Sequence, residues 1–132
     1  MYLIDTNIFL EILQEQEKCE ECEILINKIS KSDVLFHVSS FTLHSIEVIM
    51  TNSKKIEELR DFLYDIITSK IVRIETNTND ELKTLKTMKR LNLDFDDAMQ
   101  AYLCEGYNLK IISYDKHFDK TPIKRLEPSD LK

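Results

Sequence analysis

The sequence predicts an α/β fold in which a mainly parallel sheet is covered by helices on both faces. Three observations carry that expectation. Short apolar runs alternate with amphipathic stretches along the chain, the first and last runs are each followed by an aspartate, and no Pro/Gly-rich linker interrupts the pattern. The two prolines, Pro122 and Pro128, both lie near the C-terminus, and a chain of 132 residues falls in the usual range of roughly 100–150 for one domain. One domain over residues 1–132 is therefore expected, with a single hydrophobic core.

Tyr2-Leu3-Ile4 is an apolar run that ends at Asp5-Thr6-Asn7, after which Ile8, Leu10, Ile12 and Leu13 recur at helical spacing among Glu11 and Gln14. That reads as strand, turn, helix. A second helix is expected from about Glu17 to Ser30, with Cys22, Leu25, Ile26 and Ile29 on its apolar face. Val34 to Val38 reads as a buried strand, and Ser39-Ser40 as the cap of a helix running through Leu43, Ile46 and Ile49. Lys54 to Ser69 carries Ile56, Leu59, Phe62, Leu63, Ile66 and Ile67, an amphipathic helix whose apolar face also suits a homodimer contact.

Ile71 to Ile74 predicts a strand, and Asn79-Asp80 opens a helix with Leu82, Leu85, Met88 and Leu91 on one side. Asp94 then caps a helix from Asp96 to about Glu105. Gly106, the one glycine of the chain, is placed to end it in the left-handed conformation. Leu109 to Ser113 is the last expected strand.

Composition narrows the function. Hydrophobic residues make up 42% and charged residues 32%, enough apolar surface for a core and too mixed in sign for disorder. No apolar run approaches the ~18 residues of a membrane span, and Met1 leads straight into the first strand without a basic leader, so a cytosolic protein away from membranes is expected. Cys19, Cys22 and Cys104 are too few for a disulfide framework, and the Cys19/Cys22 pair reads as two thiols one helical turn apart. The net charge of −6 is the wrong sign for a general basic surface, which argues against a duplex-DNA nuclease. A nuclease fits only where carboxylates gather on a metal and basic residues gather locally.

Asp5, Asp97 and Asp115 are the residues on which such a site is expected. In an open parallel sheet ligands collect beyond the carboxyl ends of the strands, where Asp5 and Asp115 stand, and Asp97 opens the helix that precedes the last strand. Carboxylates held together repel unless their pKa rises or a hard cation joins them. Mg²⁺ or Mn²⁺ is the economical partner, and such an ion polarises a phosphoryl oxygen and activates a water for attack on phosphorus. Asp5 also suits the cap of the first helix, and Asp97 gains from the helix dipole with or without a metal.

Three stretches resemble the PIN-domain ribonucleases, a family that includes the VapC-type toxins. Leu3-Ile4-Asp5-Thr6-Asn7-Ile8-Phe9-Leu10 is similar to the family's opening strand, acid and Asn-containing turn. Leu93-Asp94-Phe95-Asp96-Asp97-Ala98-Met99-Gln100-Ala101 resembles its third acidic motif, in which the acid precedes Ala, and Ile111-Ile112-Ser113-Tyr114-Asp115-Lys116-His117-Phe118 its final strand and acid. They occur in the family's order over nearly the whole chain.

The resemblance implies a three-layer α/β/α sandwich with a mainly parallel sheet, a Mg²⁺ or Mn²⁺ site, cleavage of single-stranded RNA, homodimers and, for a toxin, a small antitoxin protein as partner. The chain departs from the family in one motif: the acid expected three residues after Thr42 is replaced by Ser45. Glu47 is the nearby substitute only if its helix is shifted, and His44 suits an oxygen-preferring metal poorly. This departure supports an alternative reading, a weak or inactive module of the same fold that binds protein or RNA.

Further candidates surround the three acids. Asp94 and Asp119 are further candidate ligands, Asp94 fitting a helix cap better, whereas Asp96 points about 100° from Asp97 and reads as solvated. Thr6, Asn7 and Ser113 can orient a ligand or a water beside the acids. Lys116 and Lys120 are expected to meet phosphate, with His117, Lys124, Arg125, Lys86, Lys89 and Arg90 available to the same rim. Tyr114 and Phe118 are candidates to stack a base, although Phe118 suits burial better.

Overall fold

The computed structural model describes residues 1–131. The chain order is β1 (Tyr2–Ile4), α1 (Thr6–Leu13), α2 (Cys19–Ile29), β2 (Phe36–Ser39), α3 (Ser40–Asn52), α4 (Ile56–Thr68), β3 (Val72–Ile74), α5 (Thr78–Leu91), α6 (Phe95–Tyr107), β4 (Lys110–Ile112) and β5 (Arg125–Leu126). Two 3₁₀ turns, Lys116–Lys120 and Pro128–Asp130, flank β5.

The five strands form one sheet in the order β3-β2-β1-β4-β5, and every neighbouring pair is parallel. Strands that are apolar at successive positions bury both faces, and the side-chain alternation distributes them between two layers of helix. Ile4 and Ile112 join Phe36 and Val38 against α1, α2, α3 and α4, whereas Leu3 and Ile111 turn to the other face against α6. This is the α/β/α sandwich.

The sheet places the acids. Chain connections leave β1 for β2 on one side, and β4 arrives on its other side, so the order reverses at the β1–β4 pair. At such a switch point the loops beyond the strand ends splay apart and leave a crevice. The Asp5 N–H donates to the Ile112 carbonyl at 3.0 Å, which extends the β1–β4 ladder to the first residue of that crevice.

Four local expectations are corrected. The strand after α2 begins at Phe36, with Val34 and Leu35 left exposed. Helix α5 is capped by Asn77, not opened at Asn79, because the Asn77 and Asp80 side chains each satisfy the other's backbone N–H. Gly106 lies inside α6, and the left-handed residue that ends the helix is Asn108 at φ 55°. Strand β5 has no apolar run to announce it; two residues suffice because Ile111 and Ser113 N–H donate to the carbonyls of Lys124 and Leu126.

The CxxC is a helical turn with one inward thiol: Cys22 is buried, Cys19 is only partly so, and all three cysteines are free. On α4 only Leu59 is buried, and Ile56, Tyr64 and Ile67 are exposed. No helix among the described residues is long and apolar enough to cross a membrane.

Candidate metal centre

Each of the three acids is positioned by a different backbone device. Asp5 follows β1 and caps α1, its Oδ1 accepting from the Thr6 N–H at 2.8 Å. Asp97 lies in the first turn of α6, where its N–H is held by the capping carboxylate of Asp94 at 3.0 Å. Asp115 follows β4 and starts the 3₁₀ turn, accepting from the His117 N–H at 2.9 Å. All three line one cleft of about 270 Å³ at the carboxyl edge of the sheet.

Asp5 is the most enclosed of them. Its Oδ1 also accepts from Gln100 Nε2 at 3.0 Å, and its Oδ2 from Ser113 Oγ at 2.6 Å and Asn7 Nδ2 at 3.3 Å. A carboxylate offers about four lone-pair sites, so these four donors occupy it, the Asn7 contact being the longest and easiest to exchange for an ion. Burial raises the Asp5 pKa; the Gln100, Ser113 and Thr6 hydrogen bonds oppose that shift, and the Asp115 charge adds to it.

Gln100 went unnoticed in the sequence. It is fully buried, and its amide ties three elements together: Nε2 donates to Asp5 and to Thr42 Oγ1 at 2.9 Å, while Oε1 accepts from Ser39 Oγ at 3.1 Å. Thr42 Oγ1 in turn lies 2.9 Å from Thr6 Oγ1. Asn7 completes the other side, with Nδ2 on Ser113 Oγ at 3.1 Å and Oδ1 receiving the Tyr114 N–H at 3.3 Å. Thr6, Asn7 and Ser113 thus stand as a polar collar around Asp5.

Asp97 and Asp115 form the open part of the site. Burial, then the neighbouring Asp115 charge, pushes the Asp97 carboxyl up to about 7, against a smaller opposing effect of His117. His117 Nδ1 sits 3.2 Å from Asp97 Oδ2 and 3.1 Å from Asp115 Oδ1. One ligand atom from each of Asp97, Asp115 and His117 falls within 4.8 Å of the others. The sequence alone places His117 only in the basic rim.

The remaining candidates separate. Asp96, expected to be solvated, is exposed but lies along the cleft wall with Phe41 and Ser45. Ser45 Oγ donates to the Phe41 carbonyl at 3.0 Å, so the position of the family's second acid carries an engaged hydroxyl. Glu47 is not among the cleft-lining residues and faces His44, with 3.9 Å between carboxylate and ring. Asp94 spends its Oδ1 on the helix cap. Asp119 is held by Arg125, at 2.8 Å from Nε and 3.2 Å from Nη2, which keeps its pKa below the usual carboxylate range.

Lys116 is exposed beside Asp115, while Lys120 Nζ donates to the Asn92 carbonyl at 2.8 Å. Phe118 is fully buried, and Tyr114 turns its hydroxyl to Glu21 and Cys22 on α2, so neither offers a ring to the cleft. Half-buried Phe41 does, packed 5.9 Å from Phe95.

Three carboxylates and an imidazole at one strand edge, with the Asp97 carboxyl raised by burial and then by Asp115, form a donor set that fits a divalent cation. The family comparison agrees with that architecture, since the PIN domain model matches residues 2–124. The chain belongs to the PIN domain family. Solved PIN-like structures share its fold at low identity. A toxin–antitoxin complex from Klebsiella pneumoniae matches with a TM-score of 0.72 at 16% identity, over 97% of this chain and 98% of that one. Mycobacterium tuberculosis VapC20, a Sarcin-Ricin loop cleaving toxin, gives 0.75 at 8% identity, over 93% and 96%. VapBC2 from Rickettsia felis, bound to a DNA fragment from its promoter, gives 0.75 at 17%, over 96% and 97%. A search of curated proteins finds no match.

Proposed function

We propose that this PIN domain is a divalent-metal-dependent endoribonuclease that hydrolyses phosphodiester bonds in single-stranded RNA, with Asp5, Asp97 and Asp115 holding Mg²⁺ or Mn²⁺. The observation that carries the reading is the convergence of the three acids on one cleft, with Asp97 pushed to about 7 by burial and by Asp115. A cation held by these acids would neutralise charge on the phosphodiester and lower the pKa of a bound water. Gln100, Ser113 and Asn7 fix the Asp5 carboxylate, so its oxygens need no reorientation when substrate arrives. Lys116 meets the phosphate backbone, and Phe41 gives a base a face to stack on.

Cleavage of a labelled single-stranded RNA in Mg²⁺, Mn²⁺ or EDTA tests this, with Asp5→Asn and Asp97→Asn at equal folded concentration. Metal-dependent cleavage lost in both variants supports it. A wild type inert in every metal moves the binding-module reading ahead, which Ser45 and the donor-saturated Asp5 favour.

A toxin role would bring a small antitoxin protein and a homodimer. For the antitoxin, an apolar groove runs between α1, α2 and α4, walled by Phe9, Ile12, Ile26, Phe62 and Ile66 and edged by Glu58, Asp61 and Asp65. That surface suits an amphipathic segment with basic flanks. The exposed Ile56, Tyr64 and Ile67 of α4 offer a second copy an apolar face.

A further inference from the structure

We infer that His117 is a direct ligand of the cation in this cleft, and that its imidazole makes the site favour a first-row transition ion such as Mn²⁺ over Mg²⁺. The inference rests on reading the cleft as a metal site and assigns it a nitrogen donor.

The first support is spacing. Adjacent ligand atoms on an ion with bonds of ~2.1 Å stand ~3.0 Å apart in an octahedron and ~3.4 Å apart in a tetrahedron. Nδ1 of His117 stands 3.1 Å and 3.2 Å from the nearest oxygens of Asp115 and Asp97. Two edges of a coordination polyhedron thus have the right length, and the Asp97 and Asp115 oxygens that complete it lie within 4.8 Å of each other.

The second is freedom to serve. The His117 side chain is 68% exposed, so no packing fixes the ring, and the two carboxylates are its polar partners. Its backbone is pinned all the same, because the His117 N–H donates to Asp115 Oδ1 at 2.9 Å. The ring is therefore tethered beside the site and can settle on an ion without repacking the core. With Nδ1 as ligand, the proton of the neutral ring lies on Nε2.

The third is the shortage of other donors. Asp5 already accepts from four groups and has only the long Asn7 contact to exchange for an ion, Ser45 donates to a carbonyl, and Asp119 is claimed by Arg125. Asp97, Asp115 and His117 are left, with one ligand atom of each within 4.8 Å of the others. Mg²⁺ keeps oxygen ligands and water, whereas an imidazole adds affinity for the first-row transition ions, of which Mn²⁺ gains least.

Pulsed electron paramagnetic resonance of Mn²⁺ bound to the whole chain tests the assignment, since a coordinated imidazole imprints nitrogen modulation on the echo. Wild type and His117→Ala are compared, with Asp97→Asn as the control for the site, and Mn²⁺ and Mg²⁺ affinities are measured by calorimetry. The expected result is nitrogen modulation in wild type, its loss in His117→Ala, and a fall of about tenfold or more in the Mn²⁺ to Mg²⁺ affinity ratio. Asp97-dependent Mn²⁺ binding without nitrogen modulation, and with the ratio unchanged in His117→Ala, overturns the inference and leaves the metal site standing. Failure of wild type to bind Mn²⁺ at millimolar concentration overturns both.

Discussion

Gln100 Nε2 donates to Asp5 Oδ1 at 3.0 Å from a position one helical turn beyond Asp97. A single turn of α6 thus presents an acid to the cleft and, behind it, the amide that holds the partner acid just beyond β1. The pairing joins the two helical layers through the sheet edge, because the same amide also reaches Ser39 and Thr42 at the start of α3.

Replacing Gln100 by Leu removes a donor from a buried carboxylate and leaves two hydroxyls short of a partner. Unsatisfied buried polar groups cost ~1–3 kcal/mol each, so the variant should lose about 2–4 kcal/mol in urea unfolding. Gln100→Glu should lose more near neutral pH than in mild acid, because a second carboxylate then faces Asp5. Wild-type stability in both variants would show that the network does not hold Asp5.

This network marks where sequence reading stops. Leu3/Ile4 and Ile111/Ile112 each divide between two cores, and that double burial makes a parallel sheet visible as continuous apolar runs. Asp5 and Asp115 are legible because they follow those runs, and Asp97 because it opens the helix before the last of them. Gln100, between Met99 and Ala101, looks like any polar residue of a helix, and only its spacing of three from Asp97 hints at a shared face. His117 looks like a loop histidine because its closeness to Asp97 is made by the fold, across 20 positions. Strand β5 escaped notice because it is held by backbone bonds and carries an arginine.

Asp97 should make the metal-free protein less stable as pH rises. Its carboxyl titrates at 3.8 in the free residue and at about 7 in the fold, so between those values the folded state binds more proton than the unfolded one. Stability from this group is complete below the lower value and is lost as pH climbs through the upper; Asp5, also raised, acts in the same direction. In EDTA, the urea midpoint of wild type should fall between about pH 4 and pH 7, and Asp97→Asn should flatten the fall. Saturating Mn²⁺ should raise the wild-type midpoint and leave the variant's nearly unchanged. A flat wild-type profile in EDTA would remove the like-charge account of the site.

Arg125 braces the loop that carries Asp115. Its Nη1 donates to the Ser113 carbonyl at 2.9 Å and to Glu127 at 2.8 Å, while Nε and Nη2 grip Asp119. Arg125→Ala should cost about 1–3 kcal/mol, most of it from the carbonyl and carboxylate left without a donor, and should weaken Mn²⁺ binding by loosening Asp115. Asp119→Asn should change stability little, since that carboxylate is exposed and its ion pair screened by solvent, and should leave Mn²⁺ affinity unchanged. Calorimetry of both variants checks this; a large loss of Mn²⁺ affinity in Asp119→Asn would make that acid a ligand.

Gly106 and Asn108 should respond oppositely to alanine. A Cβ added at Gly106 meets nothing within 4 Å, and the residue is helical with no positive φ. Alanine there lowers the entropy of the unfolded chain, so Gly106→Ala should stabilise by ~0.5–1 kcal/mol. Asn108 holds φ 55° and donates its N–H to the Cys104 carbonyl, which ends α6 and turns the chain into β4. The left-handed conformation costs an alanine roughly 1–2 kcal/mol, so Asn108→Ala should destabilise by about that much and Asn108→Gly by little. Thermal unfolding of the three variants separates the two positions: if Gly106→Ala is the destabilising change, the helix ends at Gly106 and the register of α6 against β4 is shifted by two residues.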